Sequence, residues 1–109
     1  MSPTKAVQFY QQPALVENLG IYPNPFSDSA QMYFKLRVAA HLALQFYNVA
    51  GEPVYHVEMD DPQGVQHALW QGVNEVGARC ASGVYILHLQ AEGSDQSRGG
   101  FWANLVIMR

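Results

Sequence analysis

The chain has 109 residues, 49% of them apolar, and six Lys plus Arg against nine Asp plus Glu give a formal net charge of −3. That length allows one domain whose own core can hold a fold without staples, and the apolar content argues against disorder. The acidic balance offers no electrostatic footprint for nucleic acid or an anionic membrane, so neither is expected as a partner.

Cys80 is the only cysteine, so no internal disulfide can form and the redox compartment is not written in cysteine usage. No apolar run approaches the roughly 20 residues of a membrane span, and the N-terminus lacks a basic segment followed by an apolar one. As a complete gene product the chain would be cytoplasmic. With Met1 as an expression start, it would be one module of a larger protein.

Residues 1–14 carry little periodicity and read as a linker or an expression-derived segment, although Ala6, Val7, Phe9 and Tyr10 could supply a short edge strand. The domain proper is expected over residues 15–109. Within Asn18 to Phe26, Pro23 and Pro25 fix φ and withhold two backbone donors, so this stretch cannot lie inside a sheet. Asn24, which precedes a proline, is pushed toward an extended conformation. The segment therefore predicts a bent edge strand that drops Phe26 into one end of the core.

From Gln31 the pattern alternates, with Met32, Phe34 and Leu36 on one side and Gln31, Tyr33 and Lys35 on the other. His41 to Tyr47 repeats it, with Leu42, Leu44 and Phe46 inward. Asn48-Val49-Ala50-Gly51-Glu52 then suits a type I turn closing on a G1 bulge before a strand from Val54 to Met59. Asp60 to Gly64 is a second turn cluster, combining local acceptors with a proline and a glycine. The strand Val65 to Trp70 leads through a loop bearing Asn74 and Gly77 into Ser82-Gly83 and the strand Val84 to Ala91. Tyr85, Leu87, Leu89 and Ala91 share one face of that strand, and Val84, Ile86, His88 and Gln90 the other. A polar, glycine-rich loop from Glu92 to Gly100 precedes the last strand, Phe101 to Met108. Seven short strands with regular turn signals and no helical periodicity predict an all-β, seven-stranded antiparallel sandwich of immunoglobulin or fibronectin type.

Chemistry-bearing constellations are sparse. His41, His56, His67 and His88 have no ligand spacing among them, although a turn could bring His56 and His67 together. Asp60, Asp61, Asn74 and Glu75 lack the alternating acidic pattern of a calcium loop. Ser82 has neither a nucleophile elbow nor an acid–histidine pattern, and no glycine run cradles phosphate before a helix. No catalytic residue, metal or cofactor is expected, and Cys80 reads as a small buried hydrophobe. More telling is the outward side of the last two strands, where Val84, Ile86, Trp102, Val106 and Met108 would form one exposed apolar surface. Such a surface fits a partner or a second copy of the chain.

Three stretches carry a family resemblance. They are Tyr22-Pro23-Asn24-Pro25-Phe26, the hairpin Phe46 to Val54, and Trp70-x-Gly72-x-Asn74-Glu75-x-Gly77 followed by Ala81-Ser82-Gly83-Val84-Tyr85. Together they resemble the type A C-terminal sorting domains of type IX secretion cargo, and equally the immunoglobulin-like domain of the flagellar hook-capping protein. The resemblance covers Leu15 to Arg109 and implies a β-sandwich at the end of a secreted enzyme or adhesin. Such a domain would be recognised by the outer-membrane secretion machinery after passage through the periplasm, and then often removed as the cargo is anchored to the cell surface. The strand ending at Arg109 resembles the family's terminal apolar strand with its basic ending. Asn104 stands where the family commonly has lysine, Gly99-Gly100 replaces a more polar approach, and Cys80 falls where valine is usual.

Residues and resemblance assign the same structural roles. Trp70 would fill the centre between the sheets, Phe26, Phe46 and Tyr85 would belong to the core, and Gly51, Gly72, Gly77 and Gly83 would serve turns. The leading expectation is a non-catalytic sorting and surface-attachment module with catalytic or adhesive domains upstream. The alternatives are an assembly domain acting through subunit contacts, like the hook-cap domain, and an accessory carbohydrate-binding module using Tyr33, Tyr47, Tyr55 and Trp102.

Overall fold

Alternation in the sequence becomes alternation in space. The computed structural model describes residues 14–109, in which seven strands form two sheets. They are β1 (Val16–Tyr22), β2 (Ala30–Leu36), β3 (Ala40–Tyr47), β4 (Pro53–Asp61), β5 (Gly64–Trp70), β6 (Gly83–Gly93) and β7 (Arg98–Ile107). One sheet has the order β1-β2-β5 and the other β4-β3-β6-β7, with every pairing antiparallel. This is the expected immunoglobulin-like sandwich. The suggested edge strand at Ala6 to Tyr10, and all but the last residue of the suggested linker, lie outside the described residues.

The inward rows are Met32, Phe34 and Leu36 of β2, Leu42, Leu44 and Phe46 of β3, Leu87 and Leu89 of β6, and Leu105 and Ile107 of β7, all buried. Burying each such side chain contributes about 1.5–3 kcal/mol, which offsets the chain entropy lost on folding. Trp70 sits at the centre, 1% exposed. Its ring stacks on Phe46 at 4.3 Å and meets Tyr85 and Phe26 edge-on at 5.6 and 5.9 Å, while its indole N–H donates to Val73 O at 3.0 Å. The four aromatic residues thus lock the two sheets together.

Two of the turns are built alike. In the first, Gly51 N–H donates to Asn48 O and Asn48 N–H to Glu52 O, both at 3.0 Å, while Asn48 Oδ1 accepts from the N–H groups of Ala50 and Glu52. In the second, Gly77 N–H donates to Asn74 O, Asn74 N–H to Ala78 O, and Asn74 Oδ1 accepts from Val76 and Ala78. Both glycines have φ of 83°, a left-handed value that a side chain disfavours. The Gly93–Ser97 turn repeats the backbone bonds but places Gln96 at φ 69°.

Boundaries differ from expectation in two places. Asp60 and Asp61 lie in β4 rather than in a turn, because β3 extends to meet them through His41 and Ala40. Only Pro62 and Gln63 then carry the chain from one sheet to the other. Likewise Gly99 and Gly100 belong to β7, pairing with Ala91 and Gln90, so the loop after β6 shrinks to a tight turn.

Candidate functional site

The strands β6 and β7 run side by side at one edge of the four-stranded sheet, with Val84 opposite Val106 and Ile86 opposite Asn104. Tyr85, Leu87, Leu105 and Ile107 turn into the core, and period-2 geometry sends their neighbours outward. Val84 is 42% exposed, Met108 and Trp102 are each 62% exposed, and Ile86 and Val106 are half-buried. The five residues of the expected partner surface therefore share the outer side of β6, β7 and its extension. Tyr47 of β3 adjoins them opposite Ile86, with its ring 6.3 Å from that of Trp102.

A strand at a sheet edge presents unpaired backbone groups, which invite indiscriminate pairing unless they are covered. Here the Pro-Asn-Pro-Phe segment covers the final part of β7. Asn24 Nδ2 donates to Asn104 O at 3.0 Å and Val106 N–H donates to Asn24 Oδ1 at 2.9 Å. One residue pair later, Phe26 N–H donates to Val106 O and Met108 N–H to Phe26 O. The prolines remove donors from the segment, and the Asn24 amide supplies a donor and an acceptor in strand-like order. Phe26 then enters the core at 2% exposure.

Arg109 fastens the end of the strand. Its backbone N–H donates to Ser82 Oγ, while Nε reaches Cys80 O, Nη1 reaches Ser27 O at 2.6 Å, and Nη2 reaches Gly72 O. One guanidinium thereby joins the loops before β2 and β6 through charge-assisted bonds. Gly72 is required at this contact. A Cβ there would lie 2.7 Å from Arg109 Nη2 and 3.2 Å from both Ile107 and Phe26. Gly83 opens β6 at φ 152°.

Cys80 packs partly buried against the core, and burial pushes its thiol up from the ordinary value against the opposing pull of Arg109 and a Tyr85 contact. A thiol held up in this way carries less thiolate and is the weaker nucleophile for it.

The histidines separate into different environments. His56 lies in β4 and His67 in β5 of the other sheet, so the connection does not bring them together as ladder neighbours. On the outer side of β3 and β4, His41 contacts Asp60 and Glu58 at 2.7 Å each, and His56 contacts Glu58 at 2.9 Å. Those bonds raise His41, with Asp60 the larger cause, and lower Glu58. His88 stacks on Trp102, ring centroids 3.7 Å apart, and burial lowers its pKa. No group of three or more His, Cys, Asp or Glu among the described residues has an arrangement able to hold a metal ion.

The four aromatics considered for sugar stacking do not form one row. Tyr33 lies on the three-stranded sheet between Tyr22 and His67, and Tyr55 packs against Phe46. Only Tyr47 and Trp102 share an outer face. The composite roles of Asn24 and Arg109 were not readable individually from sequence, although an asparagine held between prolines marked a segment unable to use its own backbone donors.

The family described as "Secretion system C-terminal sorting domain" matches residues 20–99. Among curated proteins no sequence matches the chain. Its fold is similar to part of dimeric latent PorU from Porphyromonas gingivalis, with TM-score 0.72 and 12% identity over 90% of this chain and 10% of that one. FlgD from Xanthomonas campestris, a hook-capping protein, gives TM-score 0.63 and 16% identity over 84% of this chain and 67% of that one. PorZ from P. gingivalis, a surface component of its type IX secretion system, gives 0.52 and 18% over 83% and 11%. The chain thus spans about one tenth of PorU and PorZ.

Proposed function

The chain belongs to the family of secretion system C-terminal sorting domains, and from that membership we propose that it is a non-catalytic sorting and surface-attachment module of a larger secreted bacterial protein. Its partner is the outer-membrane type IX translocon, met after export to the periplasm, and its destination is the cell surface. Upstream catalytic or adhesive domains are the cargo, and residues 15–109 are the sorting unit.

The observation that carries this reading is the family match over residues 20–99. The outer side of β6 and β7 supplies a physical means. Val84, Ile86, Trp102, Val106 and Met108 cost the domain solvent-exposed apolar area, which contact with a partner would remove from water. The clamp at Asn24 and the Arg109 contacts hold that surface in one geometry, so little ordering entropy remains to be lost on recognition.

The test is a transplant of the whole chain behind a signal peptide and a fluorescent reporter in a type IX-competent bacterium, compared with a translocon-deficient strain. Translocon-dependent appearance of the reporter at the surface is expected. Retention of a folded, stable fusion in the periplasm would overturn the proposal. It would leave assembly through contacts with other subunits as the better use of the same apolar surface, read out by concentration-dependent self-association.

A further inference from the structure

Beyond the apolar surface, the same sheet carries a second feature on its outer side. Three cross-strand rows lie in register over β3, β6 and β7: Gln45, His88 and Trp102; then Ala43, Gln90 and Gly100; then His41, Glu92 and Arg98. The middle row is low because its flanks are Ala43 and Gly100, and Gly100 has no tolerable replacement, since a Cβ there would collide with the Leu89 carbonyl oxygen. A trough results, bounded by the aromatic pair at one end and by charged side chains at the other. Two-residue steps along the strands put its ends about 13 Å apart, and three strands give it a floor about 10 Å wide.

The walls and floor define the ligand chemistry. Trp102 stacks one ring face on His88, has the Tyr47 ring 6.3 Å away, and is still 62% exposed, so much of the indole remains in contact with solvent. The Gln90 amide points to solvent from the floor and makes no hydrogen bond among the described residues. At the far end Arg98 lies 3.8 Å from Glu92, and His41 is engaged by Asp60 and Glu58, so no cationic excess attracts an anion. The trough is too open to bury an apolar molecule. It suits a ligand that stays largely hydrated while offering one apolar face to an indole and hydroxyls to an amide and a carboxylate.

We propose that this trough is a binding site for a neutral glycan, with a pyranose ring face on Trp102 and its hydroxyls on Gln90 and Glu92. The trough shares Trp102 with the surface assigned to the translocon, whereas Gln90 and Ala43 lie outside that surface, so Gln90→Ala separates the two readings.

The purified chain is titrated with cellohexaose and mannohexaose, with polygalacturonate as an anionic comparison, and followed by amide and indole NMR shifts. The expected result is saturable binding of a neutral hexasaccharide with shifts confined to Ala43, Gln90, Gly100 and the Trp102 indole. Trp102→Ala should weaken it about tenfold, the worth of one good aromatic contact. Gln90→Ala should weaken it while leaving the melting temperature unchanged. Saturation by neither neutral sugar, binding shown only by polygalacturonate, or shifts on another face would each overturn the proposal.

Discussion

The two tryptophans define two regions of the same molecule. Trp70 is 1% exposed and touches Phe26, Phe46 and Tyr85 between the sheets; Trp102 is 62% exposed and rests on His88 over the outer side of one sheet. One holds the fold and the other covers little of it. An indole that contributes only modestly to the core, with its ring near that of Tyr47 and on the same outer side as Val84 and Val106, is available for an external partner. The comparison separates what the sequence spends on folding from what it leaves on the surface.

The largest expected contrast is between the two truncations. Trp70→Ala should lose about 3–5 kcal/mol, comparable to much of a small domain's stability, whereas Trp102→Ala should cost about 1 kcal/mol or less. Denaturant unfolding of both variants measures this, and equal losses would erase the distinction. Next in size is Asn24→Ala, which strips two hydrogen bonds from the covered part of β7 while leaving both tryptophans in place. A loss of about 1–3 kcal/mol is expected, with faster hydrogen exchange at the Val106 amide than at β6 amides. Unchanged protection at Val106 would show that the edge does not depend on the clamp.

Turn substitutions sharpen the picture further. Gly51→Ala, forced to φ 83°, should lose about 1–2 kcal/mol, while Gln96→Gly, relieving φ 69°, should change stability by only a few tenths in either direction. Identical melting shifts for the two would refute the assigned turn geometry.

The smallest effect is a pH dependence at the same third turn. Hydrogen bonds from the Ser97 hydroxyl and N–H, followed by Arg37, hold the Asp95 carboxyl down to about 2. Because the unfolded carboxyl takes up its proton at higher pH than the folded one, this contribution is present above pH 4. It is lost as the pH falls through 4 toward 2. Asp95→Asn should flatten that part of the stability profile, as a series of thermal melts across acid pH would reveal.

Most of the fold was legible in the residues because period-2 alternation states both strand and facing. Met32, Phe34 and Leu36 announce an inward row, and Val84 and Ile86 an outward one. The two Asn-x-x-Gly turns are equally local, as is the proline pair that bars residues 23–25 from a sheet interior. Strand ends were less legible. Asp60, Asp61, Gly99 and Gly100 look like turn residues but are held in β4 and β7 by their cross-strand partners. The long-range contacts were illegible for the same reason: Asn24 meets residues 80 and 82 positions away, and Arg109 gathers carbonyls from two separate loops. No spacing rule encodes such meetings. The trough arises from the register of three strands, so it too exists only once they are aligned.

The most direct measurement of the central claim is surface delivery of a reporter fused to the chain carrying Val84→Glu and Met108→Glu, in a type IX-competent strain where the unaltered fusion is delivered. Both side chains are exposed and neither closes the core. The expected result is a domain that melts as the parent does but leaves its reporter in the periplasm. Delivery at the parent's level by that stable double variant would show that the outer side of β6 and β7 is not what the secretion machinery reads.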